Sequence, residues 1–120
     1  MLSLDRTYAL EDGHRVRVRL ARSSDARAIR DLAARRGLDA DPLDVARLTR
    51  FDPRRRLVVS ATALIDSQET FVGVGAVDLD RGEPFEPDTL IFDERIVGLG
   101  ELLLGALSAR ARAVTAPRAA

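Results

Sequence analysis

The sequence predicts one α+β domain with a mostly antiparallel mixed sheet flanked by helices, in the order β-α-α-β-β-β-α. Three observations predict it. His14 to Leu20 alternates apolar and polar residues in strict period two. Two stretches, one opening near Ala26 and one near Leu99, place apolar residues at helical spacing. Between them lie two long β-branched runs joined by a short polar segment. A chain of 120 residues is one domain's worth, and at this length it can bury enough apolar surface for a real core.

The elements follow in order. Glu11-Asp12-Gly13 has turn chemistry, with Tyr8 and Leu10 beginning a short strand ahead of it. In the next strand Val16, Val18 and Leu20 share one face and Arg15, Arg17 and Arg19 the other, a basic row expected to be solvated and covered by Asp or Glu. Ser23-Ser24-Asp25 offers a cap and first-turn acid for a helix that buries Ala26, Ile29, Leu32 and Ala33 and ends at Arg35-Arg36-Gly37. Asp31 and Arg35 are spaced as an i,i+4 pair on its wet side. Pro42 suits the first position of a shorter helix carrying Leu43, Val45, Ala46 and Leu48, which stops before Asp52-Pro53.

Arg56 to Ile65 and Thr70 to Leu79 read as paired central strands, joined by a hairpin loop of Asp66-Ser67-Gln68-Glu69. Neither run has a polar face, so a sheet covered on both sides is expected. Gly73 and Gly75 in the second run mark a bulge or a close approach of other backbone. Arg81 to Pro87 is a loop and Thr89 to Phe92 a short strand. The final helix buries Leu99, Leu103, Ala106 and Leu107 and reaches about Arg112; the tail from Val114 to Ala120 is expected to fray.

Composition excludes several function classes. The 19 basic residues balance 19 acidic ones, so the net charge is +0 and nothing global attracts a phosphate backbone; no nucleic-acid partner is expected. Every basic residue is Arg, which removes Schiff-base chemistry, a Walker lysine and a Ser-Lys dyad. Without cysteine and with only His14 as histidine, there is no disulfide, thiolate nucleophile, iron-sulfur cluster or multi-histidine site, and no metal is expected. No secretory signal or long apolar span is visible, so a cytoplasmic protein without a membrane partner is expected. Asp78, Asp80, Gly82 and Glu83 miss the calcium-loop spacing and form a turn. Gly73 and Gly75 do not complete a dinucleotide fingerprint, because Asp78 stands at its third glycine.

One place could carry chemistry. Gly98-Leu99-Gly100 opens the last helix directly after a strand, where backbone amides and the helix dipole favour an anion, and Arg95 stands just ahead. The same pattern also serves as a tight strand-to-helix turn.

Arg95-Ile96-Val97-Gly98-Leu99-Gly100 resembles the [Gln/Arg]-x-x-Gly-x-[Gly/Ala] signature of the GCN5-related N-acetyltransferase (GNAT) superfamily. Leu10 to Arg19, followed by Ser24-Asp25, is similar to the entry of GNAT domains related to bacterial protein acetyltransferases, so the likeness spans about residues 10 to 113. The resemblance implies an acetyl-CoA-dependent transfer of an acyl group to an amine. It places the pantetheine along Leu90 to Asp93 and the pyrophosphate on the loop after it. The cofactor contacts it implies are Phe92, Asp93, Arg95, Val97, Gly98, Leu99, Gly100 and Glu101, with Asp93 and Glu94 as the nearest candidate bases. The link from strand to signature is a residue or two shorter than in common members. The sequence ends where the family continues with further strands and a helix, and no Tyr follows Tyr8 to act as general acid. The expectation is therefore a homodimer covering an open sheet edge, with a catalytically inactive partner-binding module as the alternative.

Overall fold

The computed structural model describes residues 3–115. Its sheet has five strands in sequence order: β1 (Arg6–Ala9), β2 (Arg15–Leu20), β3 (Arg56–Ile65), β4 (Gln68–Asp78) and β5 (Pro87–Phe92). All neighbouring strands pair antiparallel. Helices α1 (Ala26–Arg35) and α2 (Pro42–Thr49) lie between β2 and β3 in the chain, and α3 (Leu99–Thr115) follows β5. Short 3₁₀ turns stand at Ser23–Asp25 and Leu79–Arg81. The α+β class and the element order are as expected, with β1 added at one edge.

The two central strands are covered on both faces, as their continuous apolar sequence requires. Val16, Val18, Leu57, Val59 and Ala61 pack with Leu99, Leu103 and Leu107 of α3. On the opposite face Val58, Val74 and Ala76 pack with Ile29 of α1 and Leu48 of α2. The register between β3 and β4 shifts after Ala61, which leaves Val72 as an extra residue on β4. The glycines beside this bulge admit α3 rather than other backbone. A Cβ on Gly73 would lie 2.8 Å from Leu103 Cδ1, and one on Gly75 would lie 2.9 Å from Leu107 Cδ1.

Two of the three arginines in the basic row on β2 meet acids, and Arg19 is largely buried rather than solvated. Arg17 approaches Asp5, and Arg19 grips the buried Asp25 through bonds of 2.8 and 2.9 Å. Asp25 also accepts from the Arg22 amide at 2.9 Å and the Ser60 hydroxyl at 3.1 Å. Ser23 and Ser24 therefore do not cap α1; they form the 3₁₀ turn through which Asp25 reaches back. Burial pushes the Asp25 carboxyl up, but these donors outweigh it and hold it below the ordinary range.

Three local expectations are corrected. The β3–β4 connection is a two-residue turn of Asp66 and Ser67, both at positive φ (51° and 65°), so Gln68 and Glu69 belong to β4. The expected Asp31–Arg35 pair is absent among the described ion pairs: Arg35 instead donates to the Phe71 carbonyl at 3.4 Å, bracing α1 against β4. Helix α3 continues past Arg112 to Thr115, whose hydroxyl bonds the Ala111 carbonyl at 2.7 Å, so Val114 is helical. The remainder of the expected tail, 116–120, lies outside the described residues. No described helix is long and apolar enough to cross a membrane.

Candidate functional site

The site is built where β5 ends and α3 begins. β5 is an edge strand, paired with β4 on one side only among the described strands. Its alternation sends Leu90 and Phe92 toward α3 and leaves Thr89 and Ile91 on the face that α1 and α2 cover. After Phe92 the chain closes a turn in which the Ile96 amide donates to the Asp93 carbonyl at 3.2 Å. Gly98 then takes φ +85°, a conformation glycine adopts without strain, and this turns the chain into α3.

Each residue singled out in the sequence has a defined place here. Asp93 accepts the Arg95 amide at 3.0 Å and holds the Arg95 guanidinium through bonds of 3.0 and 2.9 Å. The Arg95 side chain is otherwise exposed, and its hydrogen bonds keep the Asp93 carboxyl below the ordinary range. Glu94 pairs with Arg36 at the end of α1. Ile96 and Leu99 are buried and anchor the loop to the core. Glu101 is exposed in the first turn of α3. The Phe92 ring lies over Gly100, where a Cβ would come within 2.7 Å of its Cζ.

The amides of the loop divide into two groups. Val97 N donates to the Asp12 carboxylate at 3.1 Å. Gly98, Gly100 and Glu101 donate to no acceptor among the described residues. A Cβ added to Gly98 would meet nothing closer than Leu10 Cδ2 at 4.0 Å, leaving its own chain neighbours aside, so that side of the glycine is open. These amides sit at the positive end of a 17-residue helix, so they form a place where an anion is favoured by both hydrogen bonding and the dipole. Where the turn after β5 meets α1, a cleft of about 350 Å³ is lined by Leu32, Arg35, Arg36, Asp93 and Arg95. Three guanidiniums there face one lining carboxylate.

Sequence reasoning missed Asp12 and the α1 arginines. Asp12 stands 85 positions from Val97, in a segment that reads as an ordinary turn. Besides Val97, it accepts the His14 amide at 3.0 Å and lies 2.8 Å from His14 Nδ1. The His14 amide, and after it the nearby His14 ring, hold the Asp12 carboxyl below its ordinary value, and the Val97 amide adds to them. Arg36 had a local signal only as a helix-ending basic residue, and nothing local places it at the end of β5.

Of the carboxylates near the loop, Asp93 is engaged by Arg95, Glu94 by Arg36 and Asp12 by Val97 and His14, while Glu101 has no ion-pair partner among the described residues. No family model matches the chain, and no curated protein does. Among solved structures, the GNAT domain of S. lividans PAT is similar with a TM-score of 0.68 at 24% identity, over 91% of this chain and 72% of that one. The chain thus has the GNAT fold, and the likeness extends across nearly all of it.

Proposed function

We propose that the chain binds acyl-CoA, with the pyrophosphate on the amides of Gly98, Gly100 and Glu101. The observation that carries this reading is that these amides, at the start of α3, have no acceptor among the described residues. The cleft after β5 supports it in part, because its three guanidiniums outnumber the two carboxylates, Asp93 and Glu94, that pair with Arg95 and Arg36. The residues fit such a group: Gly98 is open in front, and Leu99 and Ile96 fix the loop from behind.

Acetyl-CoA, when bound, supplies an acyl thioester open to attack by a neutral amine. The chain's part is to hold the nucleotide end and to present the unpaired edge of β5, from Leu90 to Asp93, to the pantetheine arm. Phe92 would flank that arm from its position over Gly100. Of the two candidate bases, Asp93 is held low by two guanidinium bonds and takes a proton poorly, and Glu94 would have to leave Arg36 to reach an amine.

The engagement of both candidate bases, Asp93 by Arg95 and Glu94 by Arg36, favours a second reading, a binding module that holds acyl-CoA without turnover. The test of the common premise is a ¹H–¹⁵N titration with acetyl-CoA. The proposal expects saturable shifts centred on Gly98, Gly100 and Glu101, and their absence overturns it. Release of free CoA thiol in the presence of amines then separates the enzyme from the module.

A further inference from the structure

Helices α1 and α2 cover only part of their face of the sheet. They pack on Val58, Val74 and Ala76, and Arg35, the last residue of α1, donates to the Phe71 carbonyl at 3.4 Å. Beyond that row the face is open toward the β3–β4 turn. A concave region of about 360 Å³ there is lined by Thr7, Arg15, Arg17, Thr62, Leu64 and Glu69. Leu64 stands on it with 59% of its surface exposed.

The charges on this open end are ordered. Val16 lies opposite Ala63, and Leu64 opposite Glu69, so one further step of the β2–β3 register puts Arg15, Leu64 and Glu69 in a single row across three strands. Cation and anion thus flank Leu64, separated by two strand spacings, roughly 10 Å. Neither has an ion-pair partner among the described residues, and Arg17 in the next row has only Asp5 at 3.8 Å.

An apolar centre with a cation on one side and an anion on the other is self-complementary under a two-fold rotation. An axis through Leu64, normal to the sheet, would lay Leu64 of one copy on Leu64 of the next and set each Arg15 over the partner's Glu69. The same rotation would carry Arg17 toward the partner's turn at Asp66, an exposed carboxylate also without an ion-pair partner among the described residues. An acidic partner would meet Glu69 and Asp66, and a basic one Arg15 and Arg17, so a second copy answers the patch better than either.

We propose that the chain forms a two-fold dimer through the open end of this sheet face, with Leu64 at the centre and reciprocal Arg15–Glu69 pairs on either side. The interface leaves the β5 edge and the Gly98 loop free, so the inference stands apart from acyl-CoA binding and is tested without any CoA present.

The test is sedimentation equilibrium of the full chain from about 1 to 200 µM, where the proposal expects a reversible dimer. Arg15→Glu and Glu69→Arg each set like charges together at both pairs and should weaken the dimer by about tenfold or more. Mixed in equal amounts, the two variants regain opposite charges at both pairs, and a heterodimer should form within about threefold of the wild-type affinity. Misfolding of either variant could not produce that recovery. A monomer throughout the concentration range overturns the proposal. So does a dimer that both reversals leave intact, which places the interface elsewhere, and so does loss in both variants without recovery in the mixture.

Discussion

At the residue scale, single carboxylates decide much of the behaviour of this domain. Asp25 and Arg19 have side chains only 7% and 11% exposed, so removing one charge leaves the other buried and unpaired. Asp25→Asn should destabilise the fold by about 3 kcal/mol, measured by denaturant unfolding. The folded-state carboxyl of Asp25 is held below its unfolded value, so it contributes stability above the unfolded value, and that contribution is lost as pH falls through the folded one. Unfolding free energy of the wild type should therefore drop below about pH 4, and Asp25→Asn should lack that part of the slope. Asp12 acts in the other direction on the site. Its carboxylate holds the Val97 amide, next to Gly98, and on the proposed reading it would repel a phosphate bound there. Asp12→Asn should tighten acetyl-CoA binding by about threefold or more in calorimetry, and unchanged or weaker binding would remove Asp12 from the site.

At the element scale, the elements are positioned by how closely α3 approaches the sheet. Gly100→Ala gains helix propensity of about 1 kcal/mol, yet its methyl would stand 2.7, 3.0 and 3.2 Å from atoms of the Phe92 ring. The ring must move, so a net loss of about 1–2 kcal/mol is expected, recovered when Phe92→Leu is added. The β3–β4 turn offers the opposite case. Asp66 and Ser67 both sit at positive φ, and replacing them with Asn-Gly should raise stability by about 0.5–1 kcal/mol. These elements also show what was legible. The β3 run, the α1 stripe and Pro42 at the start of α2 were readable because pattern and local chemistry agree there. The turn reads longer in the sequence than it is, because Asp-Ser is a weaker hairpin signal than Asn-Gly and because Gln68 and Glu69 are poor strand formers. Arg35 left its local partner for a carbonyl on β4, a choice set by tertiary packing and absent from the spacing.

At the scale of the whole molecule, the sheet order, strand by strand along the chain, brings the β1–β2 turn, the end of α1 and the start of α3 to one region. The glycine-bearing loop could be located in the sequence because strand, turn and helix are contiguous. Its surroundings could not, since Asp12, Arg35 and Arg36 reach it only through the fold. The central claim is that this region holds the pyrophosphate of acyl-CoA, and an isosteric pair at Gly98 tests it. Asn and Asp tolerate positive φ best among residues with side chains and differ from each other in charge, so strain cancels between them. The deciding measurement is calorimetric titration of wild type, Gly98→Asn and Gly98→Asp with acetyl-CoA. The account predicts saturable binding that Gly98→Asn retains within about threefold and Gly98→Asp weakens by about tenfold or more. Equal affinity in all three proteins, or no saturable heat in the wild type at about 1 mM acetyl-CoA, would contradict it.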